Sequence, residues 1–137
     1  MIKNIEKINK IKRAKVEKIA KYIKKTDTEN IIDKVIVFGS SVRDDCTVES
    51  DIDILLYVNK TANINTIYFN NIYGHIGIVA DDLCDVLINT IISKKLLKHI
   101  EEYGVIIYEI IPTKIWFRCS TINYILLAIL TRNIYTL

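Results

Sequence analysis

Apolar positions recur every three or four places in the first 25 residues: Ile5, Ile8, Ile11, then Val16, Ile19 and Ile23, with charges filling the gaps. That spacing predicts one amphipathic surface helix over residues 3–25. "TDTEN", residues 26–30, interrupts it with turn and capping residues. The period then shortens. "KVIVF", residues 34–38, is β-branched and aromatic and predicts a strand, which Gly39-Ser40 ends sharply. The polar segment 41–50 leaves room for a short helical turn and a loop. "DIDILLYV", residues 51–58, predicts a second strand. Its alternation puts Ile52, Ile54 and Leu56 on one face and Asp51, Asp53 and Leu55 on the other.

Residues 61–73 are rich in Asn and read equally as helix or loop, and Gly74 and Gly77 predict a turn or a strand edge. "LCDVLI", residues 83–88, predicts a third strand with Asp85 inside an apolar run. "SKKLLKHIEEYG" predicts a short helix with Ser93 as N-cap and Gly104 at its C-terminal stop. "VIIYEII" predicts a last strand, ended by Pro112. Strands alternating with helical segments point to an α/β layer structure rather than a bundle. The expected organisation is a basic N-terminal helix (1–30) packed on a core (31–111), then an apolar tail (112–137) whose role the pattern leaves open.

Composition narrows the class. At 137 residues, 50% apolar and 26% charged, the chain has the size and make-up of one soluble domain. The net charge of +3 is uneven: residues 1–34 hold 11 Lys/Arg against 5 Asp/Glu, and the remainder 8 against 11. A basic arm can meet nucleic acid or an acidic partner, but a Lys-rich solvated helix face is the plainer reading. Nucleic acid is not favoured, because Tyr22 is the only aromatic among residues 3–25. Cys46, Cys84 and Cys119 form no CxxC pair, which suits free thiols in a reducing compartment, and no zinc-ligand spacing repeats. The charged start has no apolar core of a signal peptide, and "INYILLAIL" near the end falls well short of the ~20 residues that cross a bilayer. A cytoplasmic protein without membrane contact is expected.

The chemistry lies in "GSSVRDDCTVESDID", residues 39–53. Ionised Asp inside a strand needs a cation or a basic partner, because desolvating a lone charge is expensive. Residues two apart on a strand share a face, so Asp51 and Asp53 lie roughly 7 Å apart at Cα and their carboxylates can converge on one ion. Hard divalent cations such as Mg²⁺ take oxygen ligands and keep waters and substrate phosphates in their shell. Gly39-Ser40 stands at a strand-to-helix turn, where backbone N–H groups can hold a phosphate and glycine lets the backbone approach closely. Asp85, on another strand of the sheet, would complete a three-carboxylate site. Each piece alone is commonplace; together they point to metal-assisted transfer at a nucleotide phosphate. His75 and His99 read as surface residues, and Tyr103 and Tyr108 as core or helix-end aromatics.

Gly39-Ser40, ten intervening residues, then Asp51-Ile52-Asp53 resembles the GSx10DxD signature of the DNA polymerase β-like nucleotidyltransferase superfamily. The likeness is greatest to its minimal (MNT) members, the antitoxin partners of HEPN toxins. Arg43 falls at the pattern's second arginine, Ser50 precedes the first Asp, and "CDVLINTIISKKLLKHIEEYGVIIYE" resembles the third-carboxylate strand, helix and closing strand. The resemblance spans about Ile31 to Glu109. It implies an α+β fold with a small mixed sheet and helices packed against it. It implies ATP as nucleotide donor, with the triphosphate held by Gly39, Ser40 and Arg43, and one or two Mg²⁺ ions on Asp51, Asp53 and Asp85. The implied reaction is AMPylation of a tyrosine on a HEPN-type toxin. Ser41 and Asp44 stand where the pattern has arginine and glycine, which implies weaker triphosphate binding. The alternative is a degenerate fold that neutralises its partner by contact alone. Homo- or hetero-oligomerisation is open on either reading.

Overall fold

The computed structural model describes residues 1–111. Seven main elements follow in order: α1 (Lys10–Thr26), β1 (Ile32–Phe38), β2 (Ile52–Val58), α2 (Ile67–Ala80), β3 (Cys84–Ile88), α3 (Lys94–Tyr103) and β4 (Val105–Glu109). The strands form one sheet in the order β3-β2-β1-β4. β1 runs antiparallel to both β2 and β4, whereas β2 and β3 are parallel. A parallel pair needs a crossover, and α2 supplies it.

Alternation along the strands sorts the sheet into two faces. Val35, Val37, Ile52, Ile54 and Leu56 pack with Val16, Ile19 and Ile23 of α1 and Phe69, Ile72 and Ile76 of α2, forming the main core. The opposite face carries Ile36 and Leu55 under Ile100 of α3, a much smaller cluster. Among the described residues the second face is therefore only partly covered. Asp53 and Asp85 share it, since each alternates with core-facing neighbours.

Two expectations need correction. The first helix is not continuous from residue 3: a single 3-10 turn (Ile5–Lys7) precedes α1, and Asn9 caps α1 by accepting from the Ile11 N–H at 3.0 Å. The break shifts the helical phase, so Ile8 is buried but Ile11 is 45% exposed. Secondly, Gly74 and Gly77 bound neither a turn nor an edge; both lie inside α2. Thr66 caps that helix by accepting from Phe69 N–H, and Phe69, Ile72, Ile76 and Ala80 form its buried face. Gly104 ends α3 as expected, though without a left-handed backbone. Its lack of a side chain matters because a Cβ there would sit 2.4 Å from Ile36 Cγ2. Close packing onto β1, not turn conformation, requires the glycine.

Asp27, in the interrupting segment, is buried and accepts from the N–H groups of Ile31 and Ile32 at 3.0 and 2.8 Å. It thus joins the end of α1 to the start of β1. Among the described residues no helix is long and apolar enough to cross a membrane. The expected tail, 112–137, lies outside the described residues, as does Cys119.

Candidate active site on the open face of the sheet

β1 hands the chain to a 3-10 turn, Gly39–Val42, at the edge of the open face. Gly39 has φ of +68°, a conformation that side chains disfavour. It also has no room for one: a Cβ would lie 2.1 Å from Asp53 Oδ2. Glycine is thus required twice over, and its absent side chain is the space the Asp53 carboxylate fills.

Asp53 pairs with Phe38 across β1 and with Asp85 across β3 in the strand register. Adjacent strands lie about 4.8 Å apart, so the two acidic residues are immediate neighbours on one face. Asp51 precedes β2 by one residue and is exposed at its mouth. Burial, then the charges of Asp85 and Asp51, raise the Asp53 carboxyl above its ordinary value, and Arg43 only partly opposes them. Asp85 and Asp51 are therefore each close enough to act on the Asp53 carboxyl.

Among the described residues no group of three or more His, Cys, Asp or Glu side chains is placed to hold a metal ion. The donor chemistry nonetheless fits a hard cation. All three groups are carboxylates, Asp53 and Asp85 stand side by side in register, and Arg43 only partly offsets the charge around Asp53. Mg²⁺ seldom relies on an all-protein cage, and water and substrate oxygens complete its shell.

The other anticipated residues fall as follows. Ser40 is half-buried within the turn. The exposed Arg43 guanidinium forms a two-point pair with Asp45, Nε to Oδ1 at 3.0 Å and Nη2 to Oδ2 at 3.1 Å. Ser41 is fully buried and its Oγ donates to the Asp51 carbonyl at 3.5 Å, so it ties the turn to the start of β2. Asp44 is exposed. Burial and the Asp82 carboxylate push the Cys84 thiol up to about 11, which leaves it un-ionised and a poor nucleophile at neutral pH.

Two supporting residues were not anticipated. Asn9 donates its backbone N–H to the Ser41 carbonyl and its side-chain amide to the Arg43 carbonyl, both at 2.8 Å. One residue thereby caps α1 and clamps the Gly39–Val42 turn. An Asn just before a helical run is an N-cap signal, but its second set of bonds depends on tertiary placement. Lys12 is 1% exposed, and its Nζ bonds Val48 O at 2.8 Å and Asp82 Oδ2 at 2.7 Å. Lys15 reaches the same carboxylate oxygen at 3.0 Å. This clasp gathers α1, the 43–50 loop and the entry to β3 around the carboxylates. Burial would raise the Asp82 carboxyl, but hydrogen bonds from Lys12 and Lys15 outweigh that and hold it below its ordinary value.

Comparison with known proteins bears on the family and the fold. The nucleotidyltransferase domain family matches residues 16–107. No curated protein matches the chain in sequence. Among solved structures, a chain of a toxin–antitoxin complex with AMP-PNP superposes with a TM-score of 0.55 at 19% identity, covering 85% of this chain and 91% of that one. A chain from the Shewanella oneidensis complex of a tri-AMPylated HEPN toxin with its MNT antitoxin gives 0.52 at 18% identity, covering 89% and 92%. A chain of the MntA–HepT toxin–antitoxin gives 0.51 at 17%, covering 88% and 92%. At these identities the likeness establishes the fold, which is the polymerase β-like α+β sheet expected from the sequence.

Proposed function

This chain belongs to the nucleotidyltransferase domain family, and from that premise we propose that it transfers a nucleoside monophosphate, AMP from ATP, to a hydroxyl on a partner protein. The partner of choice is a HEPN-type toxin, since chains of similar fold occur in toxin–antitoxin structures, one with an AMPylated HEPN toxin. The observation that carries the reading is the in-register Asp53–Asp85 pair beneath a side-chain-free Gly39.

In this reading the backbone of Gly39 and Ser40 holds the triphosphate, and Arg43 exchanges its exposed pairing with Asp45 for a phosphate oxygen. Such exposed pairs contribute little and are readily given up. Asp51, Asp53 and Asp85 would hold Mg²⁺, which when bound supplies charge neutralisation at the attacking and leaving oxygens. Asp85, the more exposed member of the adjacent pair, receives the proton of the acceptor hydroxyl. The hydroxyl oxygen forms a bond to the α-phosphorus, the bond to the bridging oxygen breaks, and pyrophosphate leaves.

A second reading, neutralisation by contact alone, draws on one observation: the Arg43 guanidinium is already satisfied by Asp45. ATP labelled at the α-phosphate separates the two. Incubated with Mg²⁺, this protein and its partner, the label should appear on the partner with release of pyrophosphate, and Asp53→Asn should abolish it. Tight association without label, unaltered by Asp53→Asn, would establish the contact reading instead.

A further inference from the structure

Beside the carboxylates the open face holds a cleft of about 570 Å³, within the size range of small-molecule sites. Its floor is Phe38, Val42 and Ile100, and its outer wall is Leu96, His99 and Tyr103 of α3, with Gly39 and Arg43 at the rim. We propose that this cleft receives the base and sugar of the nucleotide whose phosphates lie over the Gly39–Val42 turn, the base stacking against the His99–Tyr103 pair. The inference rests on the nucleotidyl-transfer reading above and adds the nucleoside subsite to it.

Continuity is the first argument. Gly39 stands at the rim of the cleft and is also the residue against which Asp53 packs. Phe38, in the floor, is the register partner of Asp53. A nucleotide with phosphates at the turn therefore has this cleft as an adjoining, largely apolar space. The second argument is chemistry. His99 and Tyr103 lie one helical turn apart, with ring centroids 4.8 Å apart and planes inclined at 46°. They form an aromatic platform, and aromatic faces bind nucleobases by stacking. The third is exposure. Tyr103 is 63% and Leu96 38% exposed, so apolar surface stands open at the rim of a polar site. His99 and Tyr103 thereby gain a role that helix position alone does not suggest.

The test titrates the full chain, with Mg²⁺, by calorimetry against ATP and inorganic tripolyphosphate. Leu96→Trp fills the cleft, and Tyr103→Ala, at an exposed position, removes half of the platform. Wild type should bind ATP about tenfold or more tighter than tripolyphosphate, the margin a stacked base ordinarily gives. Both variants should lose that preference while binding tripolyphosphate as wild type does. ATP binding no tighter than tripolyphosphate in wild type, or a preference that survives both substitutions, would place the base elsewhere and overturn the proposal. Failure of wild type to bind either ligand would overturn the phosphate site itself, and the nucleoside subsite with it.

Discussion

Replacing Lys12 with Met tests whether a buried clasp holds the parts of the site together. The side chain is 1% exposed and its ammonium bridges Val48 O at 2.8 Å and Asp82 at 2.7 Å. Removing one partner of a buried ion pair ordinarily costs about 3–5 kcal/mol, because the other charge is stranded. Here Asp82 keeps Lys15 at 3.0 Å, and methionine preserves most of the apolar stem, so the expected loss is about 2–3 kcal/mol. Urea unfolding followed by circular dichroism measures it directly. The pH dependence follows from the lowered Asp82 carboxyl. A depressed folded pKa contributes stability above the unfolded value and loses it as pH falls through the folded one. The penalty for Lys12→Met should thus be full at neutral pH and fade below the ordinary carboxylate range. A neutral-pH loss under about 0.5 kcal/mol, typical of surface substitutions, would refute the clasp.

Two further outcomes are expected. Gly39→Ala should cost roughly 1–2 kcal/mol from the left-handed backbone alone, and more from the contact with Asp53; a urea midpoint like that of wild type would show that Asp53 does not crowd the turn. Asp53→Asn removes a carboxyl held above its ordinary value, whose ionised form costs stability as pH rises. Without Mg²⁺ at neutral pH it should therefore raise the melting temperature, whereas added Mg²⁺ should raise that of wild type more than that of the variant. A lower melting temperature for Asp53→Asn in metal-free buffer would count against repulsion among the carboxylates.

Local pattern carried much of the fold. β1 and β2 were legible because their alternation is strict, and the same alternation put Asp53 opposite Ile52 and Ile54. Ser93 and Thr66 show the limit of such signals. Ser93 precedes an amphipathic run and was readable as a cap, whereas Thr66 precedes α2, which is apolar on nearly every side and contains two glycines. No periodic contrast marks that helix, and its burial is decided by packing against α1 and the sheet. Lys12 was invisible for another reason. It is one of 11 basic residues in the first 34, and only Asp82, 70 positions away, distinguishes it. The break at Asn9 was hidden too, because Ile5 and Ile8 continue the spacing of α1 without belonging to it. In the site, the motif pointed to the acidic positions, while the inward turn of Ser41 and the pairing of Arg43 with Asp45 depend on the folded 39–53 loop.

The central claim is that Asp53 and Asp85, side by side across β2 and β3, serve one phosphoryl-transfer site. Single-turnover transfer of α-labelled ATP to the partner protein by Asp85→Asn tests it most directly, with circular dichroism confirming the fold. Loss of a positioned proton acceptor should slow transfer by about 10²–10⁴-fold or more, with partner binding retained. Transfer at the wild-type rate by Asp85→Asn would contradict the claim and remove Asp85 from the site.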